Sequence, residues 1–234
     1  MVRTSSNGLI RRLVRGIRER LHIISFVLRP AVRPSDSRYA YQRQFIRHQF
    51  KPGERVLDIG SGGDPFPHAT MLADRYVEPT NHRIARFESL GKPVVICDIH
   101  ALPFADHAFD YVVAAHILEH VDNPIQACAE LQRVASAGFV ETPTILKDAL
   151  FAWAKGMHKW HVVAIANRLV FFEYSPRQLE GIRSNAWHEL TFSSCYHPLQ
   201  EAFDKNQDLF NVIMEWQDSF EVIVMKTDGS VQQL

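Results

Sequence analysis

The 234 residues are 46% hydrophobic, and 26 Lys plus Arg balance 26 Asp plus Glu. That composition supports one substantial core and argues against a nucleic-acid binder, which ordinarily carries a basic excess. Cys97, Cys128 and Cys195 show no paired spacing, so neither a disulfide framework nor a cysteine zinc site is indicated and a cytoplasmic setting fits.

The chain opens on a basic arm. Between Met1 and Arg33, eight arginines against Glu19 alone give +7, leaving −7 for the remainder. Leu9, Ile10, Leu13, Val14, Ile17, Leu21, Ile24 and Leu28 recur at helical spacing, so an amphipathic helix is expected over about Leu9–Leu28. Such a helix can lie on an anionic membrane surface, which would place the protein at the inner face of a membrane. It can equally pack as a lid or join two subunits in a homo-oligomer. The apolar run Leu21–Leu28 is short and lacks a small-residue cleavage pattern, so it does not read as a signal peptide. A second helix is expected over Tyr39–Gln49, with Tyr41, Phe45, Ile46 and Phe50 inward. Residues 1–50 are thus expected as a helical arm and 51–234 as the main domain.

From Lys51 onward, apolar runs too continuous for a half-wet sheet predict parallel strands at Arg55–Ile59, Ala69–Leu72, Val94–Cys97, Tyr111–Ala114 and Gly138–Glu141. Before the last of these, Asn123 can cap a helix that Pro124 starts. Trp160–Ala166 and Leu169–Glu173 read as an inserted hairpin joined across Asn167-Arg168, followed by a helix near Ser175-Pro176. Phe210–Trp216 and Ser219–Met225 read as a closing antiparallel hairpin. The expected fold is α/β: a Rossmann-like, mostly parallel seven-stranded sheet.

Val56 to Gly63 places an acid inside the first strand and glycines where it stops, the edge at which open α/β sheets bind ligands. Gly60 and Gly62, flanking Ser61, admit close backbone approach. Asp58 can orient this loop or reach a cationic amine through water, and Asp74 can accept ribose hydroxyls or merely close a loop. The segment resembles the first motif of class I S-adenosylmethionine-dependent methyltransferases. Cys97-Asp98-Ile99-His100-Ala101-Leu102-Pro103-Phe104 is similar to that family's adenine-contacting stretch, which implies Asp98 and the Ile99 backbone at adenine. Phe109 to Val121 resembles its fourth strand and following motif. Here Asp64-Pro65-Phe66-Pro67 forbids a regular helix after the glycines, so the first crossover is expected to be short. This resembles a subgroup with an Asn- or Asp-Pro-Phe-Pro loop.

The resemblance implies S-adenosylmethionine as cofactor and methyl transfer to a small-molecule, sugar or lipid-linked acceptor. A degenerate binding domain, or a nucleotide-dependent dehydrogenase, are the alternatives that a glycine loop also admits. His116, at the end of the fourth strand, is the first candidate base, with His158 and His161 next, and each is also readable as a packed or surface histidine. Glu141-Thr142-Pro143 is a candidate acceptor wall. His116-Ile117-Leu118-Glu119-His120 matches an inverted zinc-peptidase pattern, but it begins at a strand exit and the methyltransferase resemblance accounts for it without metal.

Overall fold

The computed structural model describes residues 38–78, 86–151, 156–181 and 205–234. The basic helix expected over Leu9–Leu28, and Cys195, lie outside them.

Two sheets organise the described chain. The larger joins β1 (Val56–Ile59), β2 (Met71–Asp74), β3 (Val94–Ile96), β4 (Tyr111–Ala115), β5 (Ala137–Pro143) and β8 (Asn211–Gln217) in the order β3-β2-β1-β4-β5-β8. Its first five strands are parallel, and β8 runs antiparallel to β5. The strand order reverses between β1 and β4, the switch point at which such sheets open a crevice. The smaller sheet, in the order β10-β9-β7-β6, contains β6 (Trp160–Ala164), β7 (Arg168–Glu173), β9 (Glu221–Met225) and β10 (Val231–Gln233).

Each central strand of the large sheet feeds both faces. Leu57, Ile59, Val112, Ala114 and Val140 pack beneath α2 (Pro124–Val134) and the smaller sheet, through Cys128, Leu131, Trp160, Phe171 and Val222. Val56, Tyr111, Val113 and Phe139 pack on the opposite face against Phe66 and Ala69, with Tyr39, Phe45 and Phe50. The start of α2 is as expected, since Asn123 Oδ1 accepts from Gln126 N ahead of Pro124. No helix among the described residues is long and apolar enough to cross a membrane.

The large sheet has six strands rather than seven, because the closing hairpin does not close on itself. After β8, Asp218 takes a left-handed φ of 63° and donates its N–H to Ser136 O. The chain then enters β9, which pairs parallel with β7. The inserted hairpin thereby becomes half of a second sheet, and Arg168 Nε donates to Glu221 Oε2 across the join at 2.7 Å. Its turn is centred on Ala166-Asn167 rather than Asn167-Arg168, because Asn167 Nδ2 is tied to Ser219 O.

Helix α1 (Tyr39–Gln42) is far shorter than the expected Tyr39–Gln49. Arg47 N and His48 N donate to the Glu215 carboxylate at 2.8 and 3.0 Å, so their hydrogen bonds leave the helical ladder while Phe45, Ile46 and Phe50 still turn inward. β2 begins two residues later than expected, and no helix separates it from β1. Phe66 is 3% exposed and supplies the core packing that a crossover helix would otherwise give.

Candidate active site

The carboxyl ends of β1 to β5 bring most of the sequence-selected residues to one edge. Gly60 and Gly62 have φ of 68° and 61°, a region open to glycine and strained for other residues. Gly60 N donates to Ala73 O at 2.7 Å, which fixes where the loop leaves β1. Asp58 is buried and accepts Phe66 N at 2.8 Å, so its carboxylate orients the loop. Burial pushes the Asp58 carboxyl up to about 6 against the pull of Arg38 and of the Phe66 N–H. Arg38 crosses this loop, donating through Nη2 to Ser61 O at 2.9 Å and to Asp64 O at 2.7 Å, while its own backbone N–H reaches Asp64 Oδ2.

Asp74 ends β2, 7% exposed, with Oδ1 accepting Tyr76 N at 2.9 Å. Asp98 follows β3, where Oδ1 accepts both His100 N and the His100 imidazole and Oδ2 meets Arg75 at 3.2 Å. The His100 N–H and ring hold the Asp98 carboxyl below its ordinary range even though partial burial opposes this. Asp98 therefore caps its own turn as well as standing at the crevice. Ile99 beside it is buried.

A second polar group occupies the ends of β4 and β5. His116, at φ 58°, places Nε2 3.0 Å from Glu141 Oε1 and Nδ1 3.5 Å from Glu119 Oε1. Both carboxylates are buried. Glu141 also accepts from Tyr41 Oη and, at 2.7 Å, from Gln42 Nε2. Burial would raise both glutamates, but the neighbouring histidines hold each down to about 2, joined at Glu141 by the Tyr41 and Gln42 hydrogen bonds. Farther along, α3 (Ile145–Phe151) contributes buried Lys147, whose Nζ meets Asn211 Oδ1 at 2.6 Å. Burial lowers this amine to about 8 despite Glu141, Glu119 and Asp148. His158 is buried with Nδ1 2.8 Å from Asp148 Oδ1.

Residues 57–139 match a family model described as a methyltransferase domain. Over 181 residues the chain is 28% identical to the ubiquinone/menaquinone biosynthesis C-methyltransferase UbiE of Stenotrophomonas maltophilia, covering 69% of this chain and 67% of that protein. Over 100 residues it is 34% identical to the UbiE of Burkholderia mallei, covering 38% and 41%. A solved structure of an Archaeoglobus fulgidus SAM-dependent methyltransferase aligns at TM-score 0.40 and 21% identity over 61% of this chain and 64% of that one. These similarities support S-adenosylmethionine-dependent methyl transfer as the chain's activity and S-adenosylmethionine as its cofactor.

The geometry of the glycine loop is compatible with a cofactor lying against it. A Cβ on Gly60 would come within 2.9 Å of Ile117 Cδ1, and Ser61 Oγ is buried without a hydrogen-bond partner among the described residues. Of the candidate bases, His116 and His158 stand in the polar group, whereas His161 is stacked on Phe172 at 5.7 Å in the smaller sheet. Both nitrogens of His116 face carboxylates, Nε2 that of Glu141 and Nδ1 that of Glu119. Arg38 and Asp148 were not singled out by sequence; for Asp148 the signal was the Lys147-Asp148 charge pair within an apolar stretch.

Two outcomes follow for the cofactor side. Asp74→Ala is expected to weaken S-adenosylmethionine binding by about 1–3 kcal/mol, as measured by calorimetry, with little change in melting temperature; unchanged affinity would remove Asp74 from the site. Affinity is also expected to depend on Asp58. Its folded pKa is raised, so the carboxylate protonates as pH falls through about 6, and the protonated group accepts the Phe66 N–H more weakly. Cofactor affinity should therefore rise with pH across about 6; a flat profile in wild type, or the same slope in Asp58→Asn, would count against this.

Proposed function

We propose that the domain transfers the methyl group of S-adenosylmethionine to a small-molecule, sugar or lipid-linked acceptor held beside the ends of β4 and β5. The observation that carries this reading is the switch point itself: the glycine loop, Asp74 and Asp98 lie on one side of the strand-order reversal, and partly exposed His116 with buried Glu141 lies on the other. The bound cofactor supplies an electrophilic methyl on a sulfonium, and the protein's part is alignment and exclusion of water. Because the first crossover has no helix, no helix N-terminus stands behind the glycine loop to favour an anion. Arg38 brings a cation to that place, suited to the cofactor's carboxylate.

On the acceptor side, Thr142 Oγ1 is buried without a hydrogen-bond partner among the described residues at the end of β5 and is a group for orienting an acceptor hydroxyl. The relatives named as C-methyltransferases make an activated carbon a candidate acceptor atom alongside oxygen. Equilibrium binding of S-adenosylmethionine, followed by transfer of radiolabelled methyl across phenolic, sugar and lipid-linked acceptors, tests the proposal. Saturable binding and label transfer to one class support it. A folded protein that does not bind the cofactor overturns it.

A further inference from the structure

Just beyond β4, the 3-10 turn Leu118–His120 lies against the loop that leads into β6. We propose that Glu119, His120 and His158 form a binding site for a zinc-class divalent cation, the ion type that two imidazoles and one carboxylate select. One donor atom from each residue lies within 4.8 Å of the others, and His120 Nε2 is 3.7 Å from Glu119 Oε1. Bonds of about 2.0–2.2 Å to a tetrahedral ion place ligand atoms roughly 3.3 Å apart, so side-chain adjustment of about an ångström closes the set.

Three observations besides proximity point to an ion. Glu119 is 1% exposed, and its Oε2 has no hydrogen-bond partner among the described residues, an arrangement that is costly for an ionised oxygen unless a cation meets it. His120 Nδ1 lies 3.0 Å from Met157 O. Only a protonated Nδ1 makes that bond, so a neutral ring carries its lone pair on Nε2, the nitrogen that faces Glu119. His158 Nδ1 lies 2.8 Å from Asp148 Oδ1, and Tyr174 Oη in turn donates to Asp148 Oδ2 at 2.8 Å. This leaves Nε2 of His158 for coordination. A carbonyl behind one imidazole and a carboxylate behind the other is how metal-ligating histidines are oriented.

The charges around the group define what it takes. Glu119 and Asp148, whose charges Lys147 also feels, make the surroundings of the group anionic. His120 is the partly exposed member, its side chain 32% accessible, and gives the entry path. His116 shares Glu119 Oε1, so an ion here would stand next to the residue that faces Glu141 on the acceptor side.

The test uses the full chain, stripped by dialysis against a chelator and titrated with zinc by calorimetry and with cobalt(II) by visible absorption. Saturable binding of about one ion per chain is expected, with the cobalt band of a low-coordinate nitrogen and oxygen set. Glu119→Gln and His158→Gln should each weaken zinc binding at least about 100-fold, and Asp148→Asn about 10–100-fold, the range for groups that orient a ligand. Thermal melts check each variant's fold, and His120→Ala, at the partly exposed ligand, gives a variant that removes little packing. Absence of saturable binding by the folded wild type overturns the proposal, as does equal affinity in folded Glu119→Gln or His120→Ala. Methyl transfer is not the readout, so failure here leaves the proposed activity to its own test.

Discussion

Glu141→Ala is expected to destabilise the protein by about 3–5 kcal/mol and to abolish methyl transfer. The side chain is fully buried at the end of β5, where it receives His116 Nε2, Tyr41 Oη and Gln42 Nε2. Alanine leaves buried Gln42 and the partly buried Tyr41 and His116 without their shared acceptor, and it releases α1 from the strand it is anchored to. Against a typical domain stability of about 5–15 kcal/mol, such a loss is large. Urea unfolding should show a lower midpoint with little change in slope. Glu141→Gln, which keeps volume and one acceptor, should recover part of the stability. The pH dependence has a defined sign: the folded carboxyl is depressed from 4.5 to about 2. Its stabilisation is therefore full above about 4.5 and is lost as pH falls toward about 2. An alanine variant with wild-type stability would mean that the network contributes nothing net.

Two glycines are expected to fail in opposite ways. In Gly60→Ala the backbone must hold φ near 68° with a Cβ, and that Cβ meets the movable end of Ile117. The left-handed conformation costs about 1–2 kcal/mol, and relief comes through shifting the loop, so cofactor affinity should fall roughly tenfold or more while the protein stays folded. In Gly138→Ala the φ is ordinary, but the new Cβ would lie 2.6 Å from Val112 O and 2.8 Å from Trp216 Nε1. Val112 O belongs to β4, and Trp216 lies on β8. The three strands cannot separate locally, so overpacking should cost about 3 kcal/mol or more. Calorimetry with S-adenosylmethionine and thermal melting separate the two. A folded, fully binding Gly60→Ala variant, or a Gly138→Ala variant with unchanged melting temperature, would contradict the respective argument.

The cofactor edge was legible because its signals are local. Asp58 to Gly62 states a strand end and a φ-permissive turn within five consecutive residues, and Pro65-Phe66-Pro67 rules out a helix by missing N–H groups and ring clash. The acceptor-side network was only partly legible. Tyr41 and Gln42 lie 100 and 99 positions from Glu141, and nothing in their own neighbourhood announces a buried carboxylate partner. His161 shows what strand alternation decides: adjacent side chains turn to opposite faces, so Trp160 enters the core while His161 stacks on Phe172.

By itself, then, the sequence determined the five parallel strands, the glycine turn, the missing crossover helix and the Asn123-Pro124 helix start, since each follows from backbone sterics or a run of adjacent side chains. Only the tertiary structure decided the fate of Ser219–Met225 and of the second helix. The alternation around Val222 and Val224 specifies which face of β9 is buried but not which neighbour receives its backbone hydrogen bonds, and β7 receives them instead of β8. The helix after Tyr39 stops because Glu215, far along the chain, accepts the N–H groups of Arg47 and His48. Backbone donors go wherever the folded chain brings an acceptor, and that is a property of the whole arrangement rather than of any segment.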